Sequence, residues 1–404
     1  MLFGPAHTPG ITYFKDIFEL LPGHYAIYSN MGLITYKYWD LKTAPCNDDE
    51  NTCIKKIRKL VMNATNTQIN NETISCMLSG GLDSSILSTI AKNKSQNLNT
   101  FSIEYENNKS DFISNNYQPT IDSDYVKIMQ KHLNTNHSNI SFNANELYNL
   151  LVPSMINRDM PGMADVDSSM LAFCMAIKEK NTNICLSGEC SDEIFGGYPW
   201  FYDKKFINTQ DDDGLNFFPW CLSKNIRENL INKDIISKNE ISEYIDYNYK
   251  NTLKNVTFLN NESEENKKFR KVQYLTIKWF MNTLLERTER AANYADLDVR
   301  IPFADYKIFE YVYNIPYNLK LGLNKSTLVP IEKSLLRKAF ENDIPKEVLN
   351  RKKSPFPKTY DPKYLELVEQ EIKIILTNKN DTIFKLIDKE YLTEIINTKR
   401  TKLN

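Results

Sequence analysis

Residues 79–85 read Ser-Gly-Gly-Leu-Asp-Ser-Ser, set between the apolar run Ile74-Ser75-Cys76-Met77-Leu78 and the helix-like Ile86-Leu87-Ser88-Thr89-Ile90-Ala91. That order predicts strand, tight turn, helix. Gly80 and Gly81 let the backbone turn sharply and come close to a ligand, while Ser79, Ser84 and Ser85 join the free amides of a helix N-terminus as donors to an anion. The Lys of a G-x-x-x-x-G-K-[ST] loop is missing, which argues against a P-loop NTPase. Asp83 brings a carboxylate to the rim of this cradle, where phosphate is tolerated only with a cation between the charges. Mg²⁺ with a nucleoside triphosphate meets that need. Taken alone, the string also suits a Ser/Gly turn that merely caps a helix.

A second string repeats the plan. Asn183-Ile184-Cys185-Leu186 reads as a buried strand and runs into Ser187-Gly188-Glu189-Cys190-Ser191-Asp192-Glu193-Ile194-Phe195-Gly196-Gly197-Tyr198. Parallel strands deliver their C-terminal ends to one edge of a sheet, so Asp83 and Asp192 are expected to meet at one Mg²⁺. Taken alone, the second string suits an acidic helix start with a Gly-Gly stop equally well.

With these two strings, Leu285-Glu286-Arg287, Leu297-Asp298-Val299-Arg300-Ile301-Pro302-Phe303-Ala304-Asp305, Leu335-Leu336-Arg337-Lys338-Ala339-Phe340 and Arg351-Lys352-Lys353-Ser354-Pro355-Phe356 form an ordered set that resembles the asparagine synthetases, over residues 1–365 or so. The resemblance implies a doubly wound parallel α/β sheet of the ATP pyrophosphatase type with added helices, and ATP and Mg²⁺ as cofactors. It implies adenylation of the aspartate side chain with release of pyrophosphate, then displacement of AMP by ammonia. Asp83 and Asp192 would hold the metal; Ser79, Gly80, Gly81, Ser84 and Ser85 would grip the pyrophosphate, with Ser187 and Gly188 also at the nucleotide. Attack on the α-phosphate needs fixed positive charge, and Lys353 is the candidate for it, although a short basic run is ordinarily a solvated loop. Arg337 and Lys333 read first as surface or packing residues, with phosphate contact as the lesser alternative. Asp298 stands where the family usually has Glu, and the resemblance makes it the candidate for handling the amine's proton. A structural pairing with Arg300 or Arg287 is the competing role.

The N-terminal stretch departs from the family. Residues 1–45 resemble only the end of a glutaminase domain, a short β remnant with Pro22-Gly23-His24, and offer no N-terminal Cys as nucleophile. Free ammonia, or ammonia from a separate glutaminase subunit, is therefore expected. Residues 46–365 would be the synthetase domain and 366–404 a helical tail. Competing readings are a related adenylating ligase closing a β-lactam or macrocycle, and an inert relative. Asp165, Asp167, Ser168 and Ser169 are candidate substrate contacts or a helix start and its cap.

Composition limits the rest. In 404 residues, Lys+Arg 50 against Asp+Glu 51 gives no general attraction to nucleic acid or anionic membrane. Seven cysteines without a C-x-x-C pair indicate neither a disulfide framework nor a zinc ribbon, and reduced thiols fit a cytoplasmic protein. A homodimer is a further expectation. Asp211-Asp212-Asp213-Gly214 reads as a solvated loop, and the four histidines suggest no metal site.

Overall fold

A computed structural model describes residues 4, 6–69, 73–112, 114, 120–203, 218–221, 224–323, 330–378 and 380–398. The acidic stretch at 211–214 lies outside them. Strands β1 (His24–Ser29) and β2 (Gly32–Lys37) form an antiparallel hairpin closed by Asn30 and Met31, in register from His24 opposite Lys37 to Ser29 opposite Gly32. Helix α1 (Glu50–Ile69) then leads into the central strand β3 (Ser75–Met77).

Five strands make the main sheet. β3, β4 (Asn99–Tyr105), β5 (Asn136–Phe142), β6 (Ile184–Leu186) and β7 (Asp298–Arg300) are all parallel, in the order β5-β4-β3-β6-β7. The chain winds outward from β3 through α2 (Leu82–Lys92) to β4 and through α3 (Asp122–Leu133) to β5. It then returns through α4 (Asp165–Glu179) to β6, on the opposite side of β3. The reversal opens a crevice beyond the C-terminal ends of β3 and β6, where both Ser-Gly strings emerge.

Burial explains which segments become strands. All but the first and sixth residues of β4 are buried, as expected for an inner parallel strand covered on both faces, whereas β5 carries Asn136, His137, Ser138 and Asn139 at the sheet edge and is half exposed. Side chains alternate between two cores. Cys76 and Leu186 pack with Ile69, Ala91 and Leu98 on the α1/α2 face, while Cys185 and Phe101 join Phe173, Cys174 and Ile177 of α4 on the other. The fifth strand, β7, has no apolar run and owes its strand form to pairing with β6.

Between β6 and β7 lies a helical insertion with its own aromatic core. Tyr198 stacks on Trp200 at 4.3 Å, and Phe280 stands edge-on to both. Apolar residues recur at helical spacing over 274–285 and pack in the core; there the chain passes through a π-helical stretch, Thr276–Met281, directly into α6 (Asn282–Tyr294). Helix α7 (Ser334–Ala339) packs against α1, and α8 (Pro362–Thr377) spans position 365, where the sequence suggested a boundary, with Tyr364 buried. No helix among the described residues is long and apolar enough to cross a membrane.

Candidate active site

The Ser79–Ser85 turn is shaped from within. Ser84 Oγ accepts from Ser79 N at 3.2 Å and lies 3.0 Å from Ser79 Oγ, which also accepts from Gly81 N at 3.3 Å. Gly81, in extended conformation, precedes α2 without any side-chain cap, so the first amides of the helix keep their capacity for an anion. Gly80 has φ +66°, and a Cβ there would lie 2.6 Å from Val126 N, so this glycine is required by the approach of α3. Ser85 is fully buried, and its hydroxyl has no hydrogen-bond partner.

The second string meets the first at Gly188. A Cβ on Gly188 would stand 2.9 Å from Ser84 N and 3.1 Å from Asp83 Cβ, so only glycine lets the two turns touch. Ser187 continues the sheet, donating its amide to Arg300 O at 2.9 Å. The short α5 (Ser191–Phe195) then presents Ser191, whose hydroxyl donates to Asp83 Oδ1 at 2.7 Å, and Asp192.

One ammonium spans both acids. Lys333 Nζ lies 2.5 Å from Asp83 Oδ2 and 2.6 Å from Asp192 Oδ1, and Lys353 Nζ lies 2.6 Å from Asp192 Oδ2. Burial pushes the Asp192 carboxyl up, but the two lysines outweigh burial and hold it below the usual carboxylate range. The neighbouring Glu193 is pushed up by burial and then by the Asp192 charge, and it accepts from Tyr198 OH at 2.6 Å. Asp192 Oδ1 faces the Lys333 ammonium at 2.6 Å in a buried corner. Gly197 closes this corner, since a Cβ there would sit 1.9 Å from the same oxygen.

Lys333 is not the surface or packing residue that the sequence favours over a phosphate contact; it faces the two acids. It is 2% exposed and holds φ +55° just before α7, a conformation that stores strain in a non-glycine residue. A cation at a helix N-terminus opposes the helix dipole, but that mismatch shows only once the helix start at Ser334 is known. Arg337 is a packing residue as expected: it donates to Glu332 Oε1 at 2.5 Å and to Arg351 O at 2.9 Å, and Lys353 N in turn donates to Glu332 Oε1 at 3.0 Å.

The basic triplet divides by role. Arg351 is buried, pairs with Asp122, lies over the Tyr125 ring at 4.2 Å and donates to Ser79 O at 3.1 Å. Burial keeps the Asp122 carboxyl raised even beside that guanidinium. Lys352 is exposed, and Lys353 alone of the three reaches the acids. A cavity of about 360 Å³ opens beside Asp122 at the end of β4, lined by Ile103, Tyr105, Phe112, Ile121 and Pro357 among others.

Asp298 does not join the cluster. It begins β7, paired with Ile184 at the start of β6, and therefore stands at the N-terminal edge of the sheet, opposite the crevice. Its carboxylate is 52% exposed and accepts from Arg300 Nε at 2.8 Å, which is the structural pairing weighed from sequence as the alternative to a general base. The acid at the crevice is Glu189, next to Gly188. Its Oε1 accepts from Arg287 Nη2 at 2.9 Å and Thr288 Oγ1 at 2.8 Å, while its buried Oε2 has no partner. Glu189 stands inside the Ser-Gly string, three residues before Asp192, and that position is the signal the sequence offers for it.

The other candidates are structural. Asp167 accepts from Arg158 at 2.6 Å, with both side chains at or below 5% exposure, and Gly162 leaves room for them because a Cβ there would lie 1.6 Å from Asp167 Oδ2. Asp165, raised by burial, accepts from Thr359 N at 3.2 Å; Ser169 Oγ bonds back to Asp165 O, and Ser168 Oγ to Ala164 O.

The chain is 37% identical over 401 residues to asparagine synthetase [glutamine-hydrolyzing] 3 of Bacillus subtilis, covering 98% of this chain and 63% of that protein. It is 27% identical to asparagine synthetase [glutamine-hydrolyzing] 1 of the same organism, covering 81% of this chain and 53% of that one. The chain thus spans less than two-thirds of the length of these curated relatives. The NMN synthetase structure from Francisella tularensis shares 15% identity over 62% of this chain and 95% of its own, with a TM-score of 0.25, a superposition too loose to bear on the fold. The asparagine synthase family model matches residues 56–403, from α1 past every residue of the acid and lysine cluster, and the chain belongs to that family.

Proposed function

We propose that the crevice is the active site of an ATP-dependent, AMP-forming ligase that makes asparagine from aspartate and ammonia. The observation that carries this reading is the single Lys333 ammonium between Asp83 and Asp192, two acids brought together from separate strand ends. The two converging carboxylates and the corner kept open by Gly188 and Gly197 suit a small divalent ion, with Asp83 and Asp192 as the residues that would hold it. When bound, Mg²⁺ supplies charge neutralisation for the polyphosphate.

The chain's own groups do the rest. Ser79, Gly80, Gly81 and Ser84, with the open amides of α2, grip the pyrophosphate portion, next to Ser187 and Gly188; Ser85 contributes through the helix it belongs to. The cavity at the end of β4 takes the purine. As the aspartate side-chain carboxylate attacks the α-phosphorus, the bond to pyrophosphate breaks, and Lys353 and Lys333 offset the charge that develops. Ammonia then attacks the acyl carbon, AMP leaves with the bonding electrons, and Glu189 Oε2 takes the proton that the amine sheds. Arg287 and Thr288 position Glu189 through its other oxygen.

The relatives named above are described as glutamine-hydrolysing, which gives the N-terminal hairpin a use in this reading. Tyr28, Met31 and Leu33 are 83%, 80% and 66% exposed, and two strands alone do not hold such a surface together in water. A glutaminase unit, in the same assembly, covers that face and delivers ammonia. The test is to incubate the protein with ATP·Mg²⁺ and aspartate and follow pyrophosphate exchange, then add ammonium and follow AMP and asparagine. Exchange that does not depend on aspartate would sink the substrate assignment.

A further inference from the structure

The linker between the hairpin and α1 brings together three groups that the crevice does not use. Cys46, Asp48 and Cys53 each offer a ligand atom, and the three atoms lie within 4.8 Å of one another. We propose that they form a structural metal site for a thiophilic divalent ion of the Zn²⁺ class, clamping the linker to the first turn of α1.

Donor type and charge support this assignment. Two sulfurs and a carboxylate suit Zn²⁺ and are poor ligands for Mg²⁺ or Ca²⁺, which prefer all-oxygen shells. The two thiolates and the carboxylate together carry three negative charges, which a divalent ion and one further cation would balance. That cation is in place, since Lys56 Nζ lies 2.7 Å from Asp48 Oδ2. Tyr311 OH donates to the same oxygen at 2.8 Å, orienting the carboxylate as an outer-shell partner does. Cys53 is buried and packs in the main core, whereas Cys46 is half-buried and gives the ion a way in. Each thiol releases a proton to solvent as its sulfur binds, and water completes the tetrahedral shell. The site has a structural consequence: α1 packs along α7, the helix that follows Lys333, so fixing the start of α1 steadies the support of the crevice.

The experiment uses the full chain, reduced and stripped with a chelator, then titrated with Zn²⁺ against a chromogenic competitor and with Co²⁺ as a spectroscopic substitute. The expected result is one tight equivalent, a thiolate-to-cobalt charge-transfer absorption and a melting temperature that rises with Zn²⁺. The other five cysteines are all buried, so the absorption reports on this pair. Cys46→Ser should abolish the absorption and, like Asp48→Asn, weaken Zn²⁺ binding by at least ~10-fold. Both positions are partly exposed, which favours folding of the variants. Equal Zn²⁺ binding by the wild type and Cys46→Ser overturns the proposal. So does a reduced chain that takes up no ion yet forms a Cys46–Cys53 disulfide with glutathione disulfide, which would make the pair a redox switch. None of these readouts depends on ligase activity, so this site and the crevice stand or fall separately.

Discussion

Lys333 donates to Asp83 at 2.5 Å although 250 positions separate them, and it does so from a strained backbone just ahead of a helix. Two carboxylates and one buried ammonium at the end of a parallel sheet make a preorganised charge site. The acids are largely shielded from solvent, and in the proposed reaction the lysine offsets the charge that develops on the phosphate.

Replacing Lys333 with Met should therefore leave the acids without their shared cation while preserving much of the side-chain volume. Aspartate-dependent pyrophosphate exchange is expected to fall by about 100-fold, the usual cost of losing one preorganised charge donor. Steady-state exchange assays read this directly, and unchanged exchange would remove Lys333 from the chemistry.

Glu189 and Asp298 separate by half-reaction. Glu189→Gln should lower asparagine formation by ~10²-fold or more while pyrophosphate exchange survives, because only the second step moves a proton from the amine. Asp298→Asn breaks only an exposed pair with Arg300, worth less than about 1 kcal/mol, and should leave both half-reactions near wild type. Loss of amide formation in Asp298→Asn alone would restore the sequence-based assignment.

Asp167→Asn tests a buried ion pair. Arg158, 3% exposed, loses its countercharge, and a cost of about 3–5 kcal/mol is expected from an uncompensated buried cation. Denaturant unfolding should show this loss, with the KM for aspartate in the surviving folded fraction unchanged. A raised KM without loss of stability would make Asp167 a substrate contact instead.

His137 sets a pH dependence. Burial lowers its pKa from the ordinary 6.5, Glu104 opposing, while its ring nitrogens lie 3.0 Å from Thr100 Oγ1 and 2.9 Å from Ser102 Oγ. The folded state prefers the neutral ring, so below pH 6.5 the unfolded chain binds the extra proton and stability drains away, levelling off once pH passes the folded-state pKa. The stability difference between the wild type and His137→Gln should be constant above pH 6.5 and shift against the wild type on acidification. A flat difference across that range would show that the ring is not desolvated.

Much of this protein can be read from local sequence. The glycine and serine strings follow short apolar strands, and that pattern by itself predicts two turns at one sheet edge, with Asp83 and Asp192 meeting there, as the structure has them. Local pattern works there because strand, turn and helix start are all decided within a dozen or so neighbouring residues. Tertiary structure decided the partners. Nothing in Glu332-Lys333-Ser334 says that its lysine will fold back to Asp83, since that contact depends on α7 packing along α1. β7 lacks an apolar run, so only its pairing with β6 reveals that Asp298 lies at the edge away from the crevice. Cys46 and Cys53 resemble no metal motif until the linker turns onto α1. Charges and thiols acquire their roles from the neighbours that desolvate and face them, and those neighbours are distant in the chain.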